Sequence, residues 1–325
     1  MSVALLFSAQ GSQVVGMGRA LAEFSPGARA AFDEADATLG WSVSRLAWEG
    51  PAELLDDTRQ TQPCLVATSV ACLRAFEEAL ASRGERLEPA YVAGHSVGEY
   101  AALVAASVLS LADALRLVAR RGALMADAGV AGGMVAVIGL DRETVSAAVE
   151  ATAREIGADG DPVVANDNAP AQVVISGTAA ALTAAAERLM AAGARRAIPL
   201  NVSGPFHSPK MAPVGATLAN DFASAAWRDA EIPLVSNVTA EPLTDAAQIR
   251  GLLARQVSSP VEWVRSVQRM AAEGVDTFVE CGPGGALVGM VRRIVPQARC
   301  LTVSDPADLG TTVEALVGAA AAVPA

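Results

Sequence analysis

Short apolar runs alternate along this chain with longer stretches whose apolar positions recur every three or four residues. That is the pattern of buried strands separated by amphipathic helices. Ala4 to Phe7 predicts a strand, and Gln10-Gly11-Ser12 turns the chain into a helix near Met17 to Leu21. Gln62-Pro63 opens a long amphipathic helix through Leu80, with Pro63 suited to its first turn, where a missing N–H costs nothing. Tyr91-Val92-Ala93 predicts a short buried strand and Gly94 to Gly98 the turn after it. Helices follow from about Val97 to Ala106 and from about Leu111 to Met125. The alternation predicts an α/β fold with a parallel central sheet.

A different order begins at Gly132-Gly133. Met134 to Gly139 predicts a strand, Arg142 to Ile156 a helix, Val163 to Ala165 and Gln172 to Ser176 two strands. Ala179 to Ala192 then predicts a helix and Arg195 to Leu200 a last strand. The succession β-α-β-β-α-β is that of a ferredoxin-like unit. It predicts a small domain over 127–199, inserted into a discontinuous large domain of 1–126 and 200–325. The large domain resumes with strands at Leu234-Val235-Ser236 and Thr277 to Glu280, and the alanine-rich tail from Ala315 to Ala325 reads as a fraying helix end.

Composition narrows the class. A 325-residue chain that is 52% hydrophobic and 18% charged has ample core, and much of its apolar content is alanine, which favours closely packed helices. The net charge of −11, with Lys210 the one lysine, argues against a nucleic-acid partner, which needs clustered cations. Cys64, Cys72, Cys281 and Cys300 have neither metal-type spacing nor disulfide-framework density, so no metal is expected and buried free thiols are. Met1 to Phe7 lacks the basic start and cleavage site of a signal peptide. The longest apolar run, Ala101 to Ala112, ends at Asp113, short of a membrane span. A cytoplasmic monomer without membrane contact is expected.

Gly94-His95-Ser96-Val97-Gly98 matches G-x-S-x-G. A nucleophile between a strand and a helix sits on a sharp turn, and flanking glycines relieve the clash such a turn creates. Its hydroxyl then faces a helix N-terminus, where backbone N–H groups can stabilise an oxyanion. The same run also fits a plain turn in which Ser96 caps the following helix. A serine nucleophile needs a base, and the chain holds only two histidines. His95 adjoins Ser96 and leaves the turn in another direction. His207, between turn residues in Gly204-Pro205-Phe206-His207-Ser208-Pro209, is the natural candidate, though a packing role also fits it.

At this point the residues resemble the malonyl-CoA:acyl carrier protein transacylase family, standalone enzymes of fatty-acid and polyketide synthesis. The resemblance runs from Phe7 to about Ile294. It rests on Gln10-Gly11-Ser12-Gln13, Gln62-Pro63, Gly94 to Tyr100, Arg121-Gly122 with Met125, and Phe206-His207-Ser208. Asn166-Asp167-Asn168, Gln256 ahead of Pro260-Val261, and Glu280 ahead of Gly282-Pro283-Gly284 add to it. It implies that Ser96 attacks the malonyl-CoA thioester while His207 takes its proton, and that the Gln256 backbone carbonyl holds the imidazole. The oxyanion would sit on the backbone N–H groups of Gln10 and Val97.

The resemblance also implies that Arg121 grips the free malonyl carboxylate, with Gln62 lining the same pocket beside Asn166. Phe206 follows the pattern of malonyl-selective members. The acyl group would pass to the phosphopantetheine thiol of an acyl carrier protein, with no permanently bound cofactor. Where the family has Pro-Gly ahead of the first glutamine this chain has Ser8-Ala9, which is expected to shift the oxyanion loop, since alanine tolerates positive φ poorly. Pro205 is expected to stiffen the base loop.

Three other readings compete. An α/β-hydrolase would place its histidine late in the chain, an editor would unload acyl groups onto water, and a docking subunit would carry no acyl group. A transferase for another extender unit is a variant of the first reading. Docking an acidic carrier on an acidic chain calls for a local basic patch, with Arg292-Arg293, Lys210, Arg265 and Arg269 the candidates.

Overall fold

The computed structural model describes residues 1–157 and 161–320. The end of the alanine-rich tail, 321–325, lies outside the described residues; before it, a helix runs Pro306–Ala320. Among the described residues the strands are β1 (Val3–Phe7), β2 (Tyr91–Gly94), β3 (Gly133–Ile138), β4 (Val163–Ala169), β5 (Gln172–Gly177), β6 (Arg196–Pro199), β7 (Leu234–Val235), β8 (Pro242–Leu243), β9 (Thr277–Cys281) and β10 (Arg299–Val303).

Six of these form one sheet in the order β10-β9-β1-β2-β7-β8, parallel except for β8, which runs antiparallel to β7. β1 is central, and all five of its residues are buried, as a parallel strand covered on both faces requires. Alternation along it feeds two cores. Leu5 and Phe7 join the larger cluster with Phe32, Val66 and Leu115, whereas Ala4 and Leu6 face Trp263, Phe278 and Leu287.

The remaining four strands make an antiparallel sheet ordered β4-β5-β3-β6, covered by the helices Arg142–Ile156 and Ala179–Ala191. Its own core holds Val137, Val145, Val173, Ile175 and Leu189. A loop of the larger domain bridges to β4 through Val261. Val261 N–H donates to Ala165 O at 2.8 Å, Asp167 N–H donates to Val261 O at 3.0 Å, and Arg142 pairs with both Asp167 and Glu262. The segment after Gln256 is thereby pinned to the edge of the smaller sheet.

One helix boundary departs from the sequence pattern. The helix carrying Gln62 and Pro63 begins at Thr58, capped by the Asp57 carboxylate accepting from Arg59 N–H at 2.9 Å, so Pro63 lies inside it rather than in its first turn. The proline is accommodated in the second turn, and the helix runs on to Ala81. Gly122 explains how the next long helix, Leu111–Ala126, comes so close. A Cβ there would stand 2.8 Å from Thr58 O and 3.2 Å from Arg59 Cα. The Arg-Gly pair thus brings Arg121 against Gln62.

Candidate active site

β2 delivers Ser96 to the carboxyl edge of the central sheet, and the helix Gly98–Ala105 follows at once. Ser96 sits at φ 52°, a left-handed conformation that L residues rarely hold without support. The flanking glycines are steric necessities, because a Cβ on Gly94 would come within 1.9 Å of Gly98 C, and one on Gly98 within 2.1 Å of Phe7 O. Asn237 clamps the turn. Its Oδ1 accepts from Ser96 N–H and its Nδ2 donates to Gly94 O, each at 2.6 Å.

His207 arrives from the far side of the chain, also at positive φ, 56°. Its Nε2 lies 2.8 Å from Ser96 Oγ. Nδ1 lies 2.9 Å from Gln256 O and 3.2 Å from Ser259 O. Carbonyls only accept, so Nδ1 carries the proton and Nε2 is the free lone pair facing the hydroxyl. Burial, reinforced by the Arg121 charge, lowers the imidazole to about 3. His207 is therefore neutral, with the Nε2 lone pair facing Ser96 Oγ. His95 points away, its Nε2 bonded to Asn168 Oδ1 at 2.8 Å.

Arg121 is 1% exposed, although its helix neighbour Arg120 is exposed and pairs with Asp221. The Arg121 guanidinium donates to Gln62 Oε1 at 2.7 Å, Gln256 Oε1 at 3.0 Å and Ser96 Oγ at 3.1 Å. A hydroxyl, an imidazole and a guanidinium thus meet at one oxygen. The cleft in front of them, about 250 Å³, is lined by Gln10, Ser96, Arg121, Asn166, Phe206 and His207, among others. A hollow of about 750 Å³ beside β4 is lined by Ser146, Glu150 and Arg154 among others, and among the described residues the Ser146 and Glu150 side chains are not hydrogen-bonded to each other.

The "Acyl transferase domain" family model matches residues 4–319. The chain belongs to the malonyl CoA-acyl carrier protein transacylase family. A protein of that name from Bacillus subtilis (strain 168) is 42% identical over 317 residues, which cover 97% of each chain. An acyl carrier protein S-malonyltransferase from Vibrio cholerae superposes with a TM-score of 0.89 at 39% identity, over 96% of this chain and 100% of that one. A malonyl-transacylase solved in complex with its type II PKS acyl-carrier protein superposes at 0.90, with 38% identity over 97% and 100%.

Against this transacylase frame, the residues singled out by sequence fall into two groups. Gln10, Ser96, Arg121, Asn166, Phe206 and His207 share the cleft. Gln62 stands behind it instead of lining it. It is fully buried, held between Arg121 and Met125 Sδ, and so orients the guanidinium. Val97 is also fully buried, in the turn ahead of the helix. Among the described residues, the backbone N–H groups of Gln10 and Val97 donate to no backbone acceptor. Ala9 is not among the positive-φ residues, so alanine causes no strain there and the expected shift of this loop has no steric origin. Ser8 instead anchors the loop. Its hydroxyl donates to Glu280 at 2.9 Å, whose other oxygen accepts from Val288 N–H in the helix Ala286–Ile294.

Three residues escaped the sequence reading as site components. Asn237 follows the buried Leu234-Val235 strand and Asn168 ends a run read only as resemblance. Glu99 was part of the serine motif without a role; it is 3% exposed, and burial pushes its carboxyl up to about 7. Gln256 does more than lend its carbonyl to His207. Its side-chain Nε2 donates to Ser96 O and to Glu99 while Oε1 accepts from Arg121.

Proposed function

We propose that the protein moves a malonyl group from malonyl-CoA to the phosphopantetheine thiol of an acyl carrier protein through a malonyl-Ser96 ester. The observation that carries this reading is the convergence on Ser96 Oγ of a neutral imidazole at 2.8 Å and a buried guanidinium at 3.1 Å. Ser96 Oγ attacks the thioester carbonyl as Nε2 takes its proton, and the protonated imidazole passes it to the departing CoA sulfur. The carrier thiol then repeats the cycle in reverse. Two backbone carbonyls on Nδ1 orient the ring without adding negative charge. The tetrahedral oxyanion would rest on the N–H groups of Gln10 and Val97.

Arg121 gives the selectivity. A bidentate guanidinium–carboxylate contact supplies both energy and orientation, and an acyl group without a carboxylate leaves this buried charge unmatched. That counts against an editor of simple acyl groups. Phe206, buried against the cleft, limits the room beside the acyl chain. We also infer a ferredoxin-like unit over 127–199 inserted into the larger domain, supported by the antiparallel order β4-β5-β3-β6. Buried thiols at Cys64, Cys72 and Cys281 fit a reducing, cytoplasmic setting. Among the described residues no helix is long and apolar enough to cross a membrane.

Intact mass after mixing with a panel of acyl-CoA thioesters tests the reading. Malonyl-CoA should add one malonyl group, lost on adding carrier protein and absent in Ser96→Ala. An unmodified mass would remove the transferase reading.

The carrier is proposed to dock beside the helix Ala286–Ile294, whose Ala286, Leu287 and Met290 line the cleft. Arg292 and Arg293 are exposed at its end and make no ion pair among the described residues. Lys210 and Arg269 are instead paired with Asp161 and Glu241, and Arg265 lies 3.9 Å from Glu262, which Arg142 holds. Charge reversal at both Arg292 and Arg293 should raise the apparent KM for carrier protein about tenfold, the equivalent of about 1.4 kcal/mol. Acylation by malonyl-CoA should be unaltered. An unchanged KM would clear these two residues.

A further inference from the structure

The Arg121 guanidinium presents a problem of charge. It is buried, and each acceptor it reaches is neutral: two amide oxygens and a hydroxyl. A buried cation without a counter-charge is strongly disfavoured. The carboxylate that can balance it is Glu99, on the far side of the Gln256 amide. That amide bridges them in one direction only, since a guanidinium can only donate and a carboxylate accepts. Its Oε1 faces Arg121 at 3.0 Å, and its Nε2 faces Glu99 and Ser96 O. The second Glu99 oxygen accepts from Asn237 N–H at 3.4 Å.

We propose that Glu99 is the counter-ion of Arg121 in the unloaded enzyme, and that seating an acyl carboxylate on Arg121 draws one proton from solvent onto Glu99. The inference rests on the reading of Arg121 as the carboxylate anchor. An incoming carboxylate would leave two anions and one cation in a dry pocket, and neutralising Glu99 restores the balance. The protonated group keeps an acceptor oxygen for Gln256 Nε2, so the network survives.

Other titratable groups around Glu99 do not take this role. Tyr100, beside it on the same helix, is pushed well up by burial and stays neutral. His95, in the turn before, is buried and lowered. His207, from the opposite loop, is lowered to about 3, whereas Glu99 sits at about 7, where a proton is readily gained. Glu99 is thus a positioning residue, acting through Gln256 on the guanidinium, the serine carbonyl and the residue whose backbone holds His207. Because binding takes up a proton, malonyl-CoA should bind more tightly as pH falls from 8 to 6.

The test is calorimetric titration of malonyl-CoA into the Ser96→Ala protein, which releases no CoA thiol to disturb the proton count. Buffers of different ionisation heat at pH 7 give the number of protons. Net proton uptake, at most one per malonyl-CoA, is expected, because only molecules in which Glu99 starts ionised take one up. Adding Glu99→Gln should bring uptake per bound malonyl-CoA close to zero whatever the change in affinity, and acetyl-CoA should cause none. Uptake that persists in Glu99→Gln, or that acetyl-CoA matches, or that is missing altogether, overturns the proposal. Should the Glu99→Gln chain fail to fold, the malonyl-to-acetyl comparison in Ser96→Ala decides alone. Failure of the proposed function is distinct, since it would abolish the malonyl adduct on the unsubstituted chain. Failure here leaves that adduct and removes only the proton.

Discussion

Replacing His207 with alanine should slow malonylation of Ser96 by about 10²- to 10⁴-fold, the usual contribution of a positioned base. The loss follows from geometry. No other imidazole reaches the hydroxyl, since His95 is turned toward Asn168, and the remaining neighbour of Ser96 Oγ is a guanidinium that can only donate. The pH profile should carry a second signature. With burial holding His207 at about 3, acylation per folded molecule at saturating malonyl-CoA should show no acid limb near 6.5. Stability behaves differently. The unfolded chain protonates His207 first on acidification, so the depressed folded-state value costs stability as pH falls from about 6.5 towards 3. Acid inactivation should therefore track loss of circular dichroism. A rate of acylation in His207→Ala within tenfold of the parent, timed by intact mass, would remove His207 from the role of base.

The elements that hold Ser96 and His207 were legible because their signals are local. A strand of four apolar residues, two glycines around a serine and a histidine between prolines each state their geometry within a few positions. The helix at Gln62 was placed one turn late because Pro63 is a strong start signal, while the true cap is the less conspicuous Asp57. β10 was missed for a related reason. As an edge strand it is only partly covered, and Arg299-Cys300-Leu301-Thr302 shows neither a continuous apolar run nor clean alternation. Asn237 and Glu99 illustrate a deeper limit. Asn237 reaches Ser96 across 141 positions and Gln256 reaches Glu99 across 157. Nothing in a single chain marks an asparagine as the clamp of a distant turn, or gives a glutamate a buried partner. The two uses of Gln256, backbone to His207 and side chain to Arg121, appear only when three elements are assembled.

Replacing Arg121 with alanine should lower the malonyl-to-acetyl ratio of the cleft by the margin that the guanidinium supplies. Hydrogen bonds to a charged group contribute about 1.5–3 kcal/mol, which is about 10- to 150-fold in kcat/KM for malonyl-CoA relative to acetyl-CoA. The ratio is the proper readout, because the substitution also removes the donor shared by the Gln62 and Gln256 amide oxygens and will lower stability. Partial unfolding scales both substrates equally and cancels. Arg121→Lys separates charge from geometry: one ammonium keeps the positive charge but cannot span Gln62, Gln256 and a carboxylate in a single plane. Its malonyl-to-acetyl ratio should fall between those of the parent and Arg121→Ala. If both variants kept the parent's ratio, the acyl carboxylate would have to be held elsewhere in the cleft, and the selectivity assigned to this guanidinium would be withdrawn.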